Sequence, residues 1–245
     1  MGGRRAILGA ACAALLGAAT AHGDTQVIDS PTAQVLGHGQ LRLDLGAGPE
    51  GSVLMGARVG LLERLDFGVS YGMQEVLGRG SVAYNPLPGV QVRALVLDVP
   101  RLPALALGFD SQGHGQWLEQ RQRYERKSPG FYAVATQNLL VTSYQIQSSV
   151  SAGLGYSLEP SRQFMDLFFG GTQQLGRGLS LLLDYDFGLD DRAGIDADRG
   201  YLDFGMQWRF GSGNHARFLL RDLLGNYKGR GEVAREMEFY YNIQL

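Results

Sequence analysis

Apolar and polar residues alternate with a period of two along most of the chain. The alternation runs without a break through the last nine residues, Met237–Leu245. Successive side chains of a strand point to opposite faces, so each such stretch predicts a strand with one apolar face. Leu65–Met73 and Leu179–Leu189 show the same pattern. The sequence therefore predicts an all-β fold.

The predicted strands number about twelve, and merging or splitting the segments Gly130–Gln137 and Tyr144–Tyr156 would make about ten or fourteen. All eight prolines fall outside the strands, as an unbroken hydrogen-bond ladder requires. Short and long connections mostly alternate, which is typical of outer-membrane barrels. We therefore expect a transmembrane antiparallel up-and-down β-barrel over residues 39–245. The alternative is a soluble β-sandwich that buries the same faces in one core.

The end of the chain is similar to the closing strand of bacterial outer-membrane barrels, which the assembly machinery recognises. The residues of this predicted assembly signal are Phe239, Tyr241, Ile243 and Leu245. Such signals usually end in Phe, whereas this chain ends in Leu245. The expected partners are outer-membrane lipid and the secretion and barrel-assembly machinery.

The first 21 residues have the features of a secretory signal peptide. Arg4 and Arg5 precede the apolar run Ala6–Ala18, and Ala19-Thr20-Ala21 offers a small-residue cleavage site. Residues 22–38 are then expected to form a periplasmic lead. The single cysteine, Cys12, lies inside the signal, where a lipoprotein signal is the alternative.

Composition narrows the function further. The net charge of −2 does not favour nucleic-acid binding. The sequence contains no zinc or phosphate-loop pattern, and we predict no cofactor and no metal. An outer-membrane location and a non-enzymatic role are expected.

Six segments resemble a family of small, largely uncharacterised outer-membrane barrels related to the YjbH-like proteins associated with exopolysaccharide production. They are Pro31–Ala33, Gly68–Gly72, Tyr84–Gly89, Pro103–Gly113, Lys127–Val134 and Tyr185-Asp186. The resemblance implies a barrel fold and an outer-membrane location. It implies no catalytic residues.

Charged residues on the polar faces of the strands are predicted to line the lumen. They are Arg42, Asp44, Arg58, Asp66, Arg93, Asp110, Asp184, Asp186, Asp203, Arg209, Arg221 and Glu238. One interpretation is a network of ion pairs that fills the barrel and fixes the strand register. The other is a solvated channel whose charges select a solute.

The loop between Gln112 and Pro129 interleaves cations with aromatic residues: Trp117, Arg121, Arg123, Tyr124, Arg126 and Lys127. Such a set suits the anionic groups of a polysaccharide or lipopolysaccharide. The alternative is a solvated external loop without a ligand.

Ser111 and His114 lie close to Asp110 in the sequence, which suggests a lipid hydrolase with a serine nucleophile and a histidine base. The leading hypothesis is nevertheless a non-enzymatic barrel, with an envelope structural role or a role in passage or binding of a small solute or exopolysaccharide.

Overall fold

The computed structural model describes residues 24–141, 146–160, 163–176, 178–191, 199–211, 213–226 and 233–245. The predicted signal peptide, residues 1–21, lies outside them. The strands are β1 Gln40–Ala47, β2 Val53–Leu61, β3 Leu65–Gln74, β4 Ala83–Tyr84, β5 Gly89–Leu97, β6 Ala104–Asp110, β7 His114–Leu118, β8 Arg123–Arg126, β9 Gly130–Val141, β10 Ile146–Tyr156, β11 Met165–Gln174, β12 Leu179–Asp186, β13 Tyr201–Phe210, β14 Asn214–Arg221 and β15 Ala234–Gln244. A 3-10 turn spans Pro49–Gly51.

Twelve of these strands form a closed antiparallel ring. Neighbours follow the order β2-β1-β15-β14-β13-β12-β11-β10-β9-β6-β5-β3, and pairing of β2 with β3 closes the circle. The last strand pairs with the first from Gln40 opposite Gln244 to Ala47 opposite Met237. The short strand β4 extends β3, and β7 pairs with β8 in a separate hairpin. The predicted all-β barrel of twelve strands is thus confirmed.

The two ends of the barrel differ. The connections 62–64, 98–103, 175–178 and 211–213 lie at the end where β1 begins and β15 stops, which we call the short-turn end. The opposite, long-loop end carries the connections 75–88, 111–129, 187–200 and 222–233. The connections after β1 and β10 are shorter, but they also lie at the long-loop end. No helix among the described residues is long and apolar enough to cross a membrane.

The outer surface of the barrel is apolar. Large side chains in the middle of strands are exposed there, such as Leu107 (55%), Leu183 (46%) and Met206 (44%). Aromatic pairs lie near both ends: Phe109 with Phe131 at the long-loop end, and Trp208 with Phe210 at the short-turn end. On the clear outward sets of the described strands the only charged residue is Arg235, near the start of β15.

Candidate functional site in the lumen

Residues 24–37 lie inside the barrel, and we call this segment the plug. Arg93 on β5 donates to the carbonyl oxygens of Thr25 (2.6 Å) and Gln34 (2.8 Å). Arg217 on β14 donates to the carbonyl of Gln26 (3.2 Å). These strands belong to different sides of the ring, so the plug lies between them. The sequence predicted residues 22–38 to be a periplasmic lead that precedes the barrel. Residues 24–37 of that lead lie within the ring, because inward side chains bind their backbone.

The plug folds back on itself as a hairpin. Gln26 and Pro31 form an antiparallel bridge, with Ile28, Asp29 and Ser30 at the tip. The carboxylate of Asp184 accepts the backbone N–H groups of these three residues at 3.1, 2.9 and 2.8 Å, and also the Ser30 hydroxyl. A buried backbone donor without an acceptor is costly, so Asp184 fixes the tip to β12.

Apolar contacts hold both branches of the hairpin. Val27 and Ile28 pack against two inward side chains of the wall, Leu182 and Leu219. The returning branch packs through Ala33 and Val35 in a second buried cluster that also contains Leu95, Ala104, Ala106, Tyr132, Val134 and Phe168. The interior of the barrel is therefore a filled core along part of its wall.

Inward glycines leave room for the plug. A Cβ atom built on Gly170 would lie 2.8 Å from Cγ2 of Val27, and one on Gly60 would lie 2.1 Å from the carbonyl oxygen of Gly37. Larger residues at these two positions would overlap the plug.

The long loop after β6 also folds inward, through the β7–β8 hairpin. Arg123, Tyr124, Arg126 and Lys127 are all buried. Lys127 Nζ bonds the carbonyl oxygen of Asp190 (3.1 Å). Of the predicted external binding set, Trp117 packs edge-on against Tyr124 (ring centroids 5.0 Å apart) and Arg121 is exposed. Four of the six residues of the predicted external-loop binding set therefore face acidic or polar partners inside the protein.

The plug and the inward loop meet at Asp29. Its Oδ2 atom lies 2.7 Å from Nη1 of Arg126, and its Oδ1 atom pairs with Nη1 of Arg221. His114 Nε2 lies 3.3 Å from Oδ1. We call these four residues the Asp29 junction. A cavity of about 130 Å³ lies beside it at the long-loop end.

Burial and the charges around the junction shift two pKa values. Burial raises the pKa of the Asp29 carboxyl, but the nearby Arg221, His114 and Arg126 outweigh this and hold it well below its ordinary value. Burial, together with Arg221 and Arg126, lowers the pKa of His114 from 6.5 to about 4, although Asp29 opposes the shift. The docked plug therefore faces a neutral His114 at neutral pH.

The arginines of the junction have further acidic partners. Arg126 Nη1 lies 2.6 Å from Asp203, and its Nη2 lies 3.0 Å from Asp186. Arg221 pairs with Glu236, and its Nη2 lies 3.5 Å from Glu238. Four of the predicted lumen residues, Asp186, Asp203, Arg221 and Glu238, thus share one network at the long-loop half of the barrel.

The other predicted lumen residues lie elsewhere on the inner wall. Arg42 donates to Thr25 of the plug (3.2 Å) and to Asn242 (3.1 Å). Arg58 lies 3.9 Å from Asp66, and oxygen atoms of Asp66 and of Asp44 are buried without a hydrogen-bond partner. Asp110 accepts the N–H of Gln112 (2.8 Å). Arg209 is half exposed at the short-turn end, 3.8 Å from Asp24.

Sequence reasoning missed several residues of the lumen: Asp24, Asp29, Glu236, Arg217 and Tyr240. Arg217 Nη2 lies 3.9 Å from Asp24, and its Nη1 lies 3.6 Å from Glu238. Its guanidinium also lies over the Tyr240 ring, 4.7 Å from the centroid. Glu236 and Tyr240 alternate in step with the predicted Glu238, and that signal was present in the sequence.

The residues of the hydrolase alternative do not assemble into a triad. Ser111 Oγ accepts the N–H of Val90 (2.9 Å), whereas His114 faces Asp29 and Asp110 faces Gln112. No hydrogen bond joins Ser111 to His114 among the described residues. No group of three or more His, Cys, Asp or Glu in the described part of the chain is placed to hold a metal ion.

No protein-family model matches the chain, and no curated protein matches it. Among solved structures it is similar to a KdgM porin, with 8% identity, a TM-score of 0.48, and coverage of 82% of this chain and 98% of that one. It is similar to a NanC porin, with 10% identity, a TM-score of 0.48, and coverage of 84% and 99%. A mutant porin of Rh. blastica has 10% identity, a TM-score of 0.39, and coverage of 84% and 98%. At these identities no function is transferred to this chain.

Proposed function

We propose that this chain is a bacterial outer-membrane barrel through which a solute passes when the plug leaves the lumen. The observation that carries the proposal is the combination of an apolar exterior with a charged interior that is occupied by the chain's own hairpin. In a barrel, lipid-facing and lumen-facing residues alternate along each strand.

The exterior supports the membrane location. Large apolar side chains such as Leu183 and Met206 are exposed on the outward faces of the strands, and contiguous apolar patches of more than a few hundred Å² are rare on water-soluble monomers. Aromatic residues near both ends fit the two interfacial girdles of such barrels.

The plug supports a passage that is closed in the state described. A barrel of eight strands is filled by its own side chains, whereas barrels of sixteen to eighteen leave an aqueous channel. This barrel has twelve, and inward glycines such as Gly170 widen its interior beside the plug. Removing the plug would expose both the buried charges and an aqueous route.

A reversible lock tests the proposal. A Cβ atom on Gly170 would lie 3.0 Å from the Cβ of Val27, so a shift of the plug by about 0.8 Å would give the separation of about 3.8 Å found in disulfides. Cys12 is the only native cysteine, so the double variant Val27→Cys with Gly170→Cys offers one possible pair in the exported chain. We expect planar-bilayer recordings to show no openings of the oxidised variant and stepwise openings after reduction. Val27→Cys alone is the matched control, and its openings should be the same with and without reductant.

A second variant removes residues 24–37. We expect it to form a heat-modifiable barrel that conducts continuously. A folded deletion variant that carries no current, together with a lock that changes nothing, would refute the passage role.

Several finer points remain part of the proposal. They are export by the signal peptide 1–21, insertion by the barrel-assembly machinery, binding of polysaccharide or lipopolysaccharide, and the exopolysaccharide role implied by the YjbH-like resemblance. We retain the hypothesis of a non-enzymatic barrel over that of a lipid hydrolase, because Ser111 and His114 each contact a different partner.

A further inference from the structure

A second cavity, of about 300 Å³, lies at the short-turn end of the lumen. The plug supplies Gln26 and Gln34 to its lining. The adjacent strands β9, β10, β11 and β12 supply Asn138, Gln147, Thr172 and Ser180 respectively. The cavity is therefore lined largely by amide and hydroxyl groups, and we call it the inner vestibule.

These groups are not engaged with one another. The side chain of Gln34 is buried, with the residue only 5% exposed, and its Nε2 atom has no acceptor. The side chains of the other five make no hydrogen bond to the described part of the chain. A buried amide without a hydrogen-bond partner destabilises the folded protein. A ligand that accepts from Gln34 would remove this cost.

The charge of the inner vestibule decides which ligand fits. Its two charged residues, Asp24 and Arg209, lie 3.8 Å apart. Asp24 also accepts from Gln207 (2.8 Å) and lies 3.4 Å from His215. A charged ligand would therefore lose its hydration without gaining a free counter-charge. Hydroxyl groups both donate and accept, as amide side chains do.

We infer that the inner vestibule binds a neutral polyhydroxylated solute, such as an uncharged mono- or oligosaccharide. The inference rests on the proposed passage function and names its solute class. Since Gln26 and Gln34 belong to the plug, the complete site exists only while the plug is docked. The bound solute therefore stabilises the closed state.

The test is calorimetric titration of the folded full chain in detergent with maltotriose, glucosamine and glucuronate. We expect saturable binding of maltotriose and at least tenfold weaker binding of the two charged sugars. Thr172→Val keeps the shape and removes one hydroxyl, and Gln34→Leu removes the buried amide. Each should weaken maltotriose binding about tenfold, whereas Gln173→Leu, on the outer face of the same strand as Thr172, should not change it.

Absence of saturable maltotriose binding, equal binding of the charged sugars, or indifference to both inner substitutions would overturn the inference. The locked disulfide variant keeps the plug docked and should bind maltotriose as the wild type does. Conductance of the deletion variant is measured without sugar, so a failure of the passage role is read separately from a failure of the sugar site.

Discussion

Replacing Asp29 by Asn removes the charge at the tip of the plug and leaves its shape unchanged. Arg126 and Arg221 contact this carboxylate from different elements, the inward loop and the barrel wall. Both are nearly buried, with 11% and 12% of their side chains exposed. The substitution therefore weakens a point where plug, loop and wall are joined by charge.

The magnitude follows from the remaining partners. Truncating one member of a buried ion pair costs about 3–5 kcal/mol when the other charge is stranded. Here Arg126 keeps Asp186 and Asp203, and Arg221 keeps Glu236. The loss is then closer to that of hydrogen bonds to a charged group, about 1.5–3 kcal/mol. The ratio of open to closed barrels should rise roughly 10- to 150-fold.

The assay is the open probability of single barrels in planar bilayers at neutral pH. Glu63→Gln, which removes an exposed charge in the turn after β2, is the matched control and should behave as the wild type. If folded Asp29→Asn barrels open within twofold of the wild type, the junction does not hold the plug.

Three further predictions test other parts of the reasoning. Because the folded pKa of His114 is lowered from 6.5 to about 4, the folded barrel binds fewer protons than the unfolded chain between these values, so acidification through that window should lower the free energy of unfolding by up to ~3 kcal/mol, and by less because 19% of the side chain is exposed; His114→Gln should flatten the profile of unfolding free energy against pH. Gly170→Val should cost about 1–3 kcal/mol in urea unfolding or raise open probability, whereas Gly171→Val, whose Cβ would meet only an oxygen atom 3.6 Å away, should do neither. Leu183→Arg should destabilise the barrel in lipid by about 2–4 kcal/mol, whereas Leu62→Arg, in an exposed turn, is the control. Equal unfolding midpoints for the two variants would contradict the proposal that the outer surface faces lipid.

The sequence predicted the ring because each strand carries its own signal. The outward set of β12 and the charges Asp184 and Asp186 opposite it follow from alternation alone. The same holds for the closing strand, whose pairing with β1 brings Leu43 opposite Tyr241. Local periodicity decides the face of each side chain, and the ring follows from it.

The plug could not be predicted in the same way. Residues 24–37 lack alternation, and much of what holds them is hydrogen bonding to backbone groups that any residue type possesses. The bond from Asp29 N–H to Asp184 joins positions 155 residues apart. One signal was present, since Leu95, Leu182 and Leu219 place apolar side chains on the lumen face. Inward apolar residues have no role in a water-filled lumen, and they indicate that something packs there.

The position of the plug decides how it can leave. Asp24 contacts Arg209 and His215 at the short-turn end, and residue 37 leads into β1 at that same end. Only the tip, at Asp29, reaches the long-loop half. The hairpin can therefore withdraw toward the short-turn end without breaking a strand of the ring, whereas the β7–β8 hairpin contacts its tip from the long-loop side. Withdrawal dismantles the inner vestibule as it opens the lumen, so a solute bound there has to leave its site before it can pass.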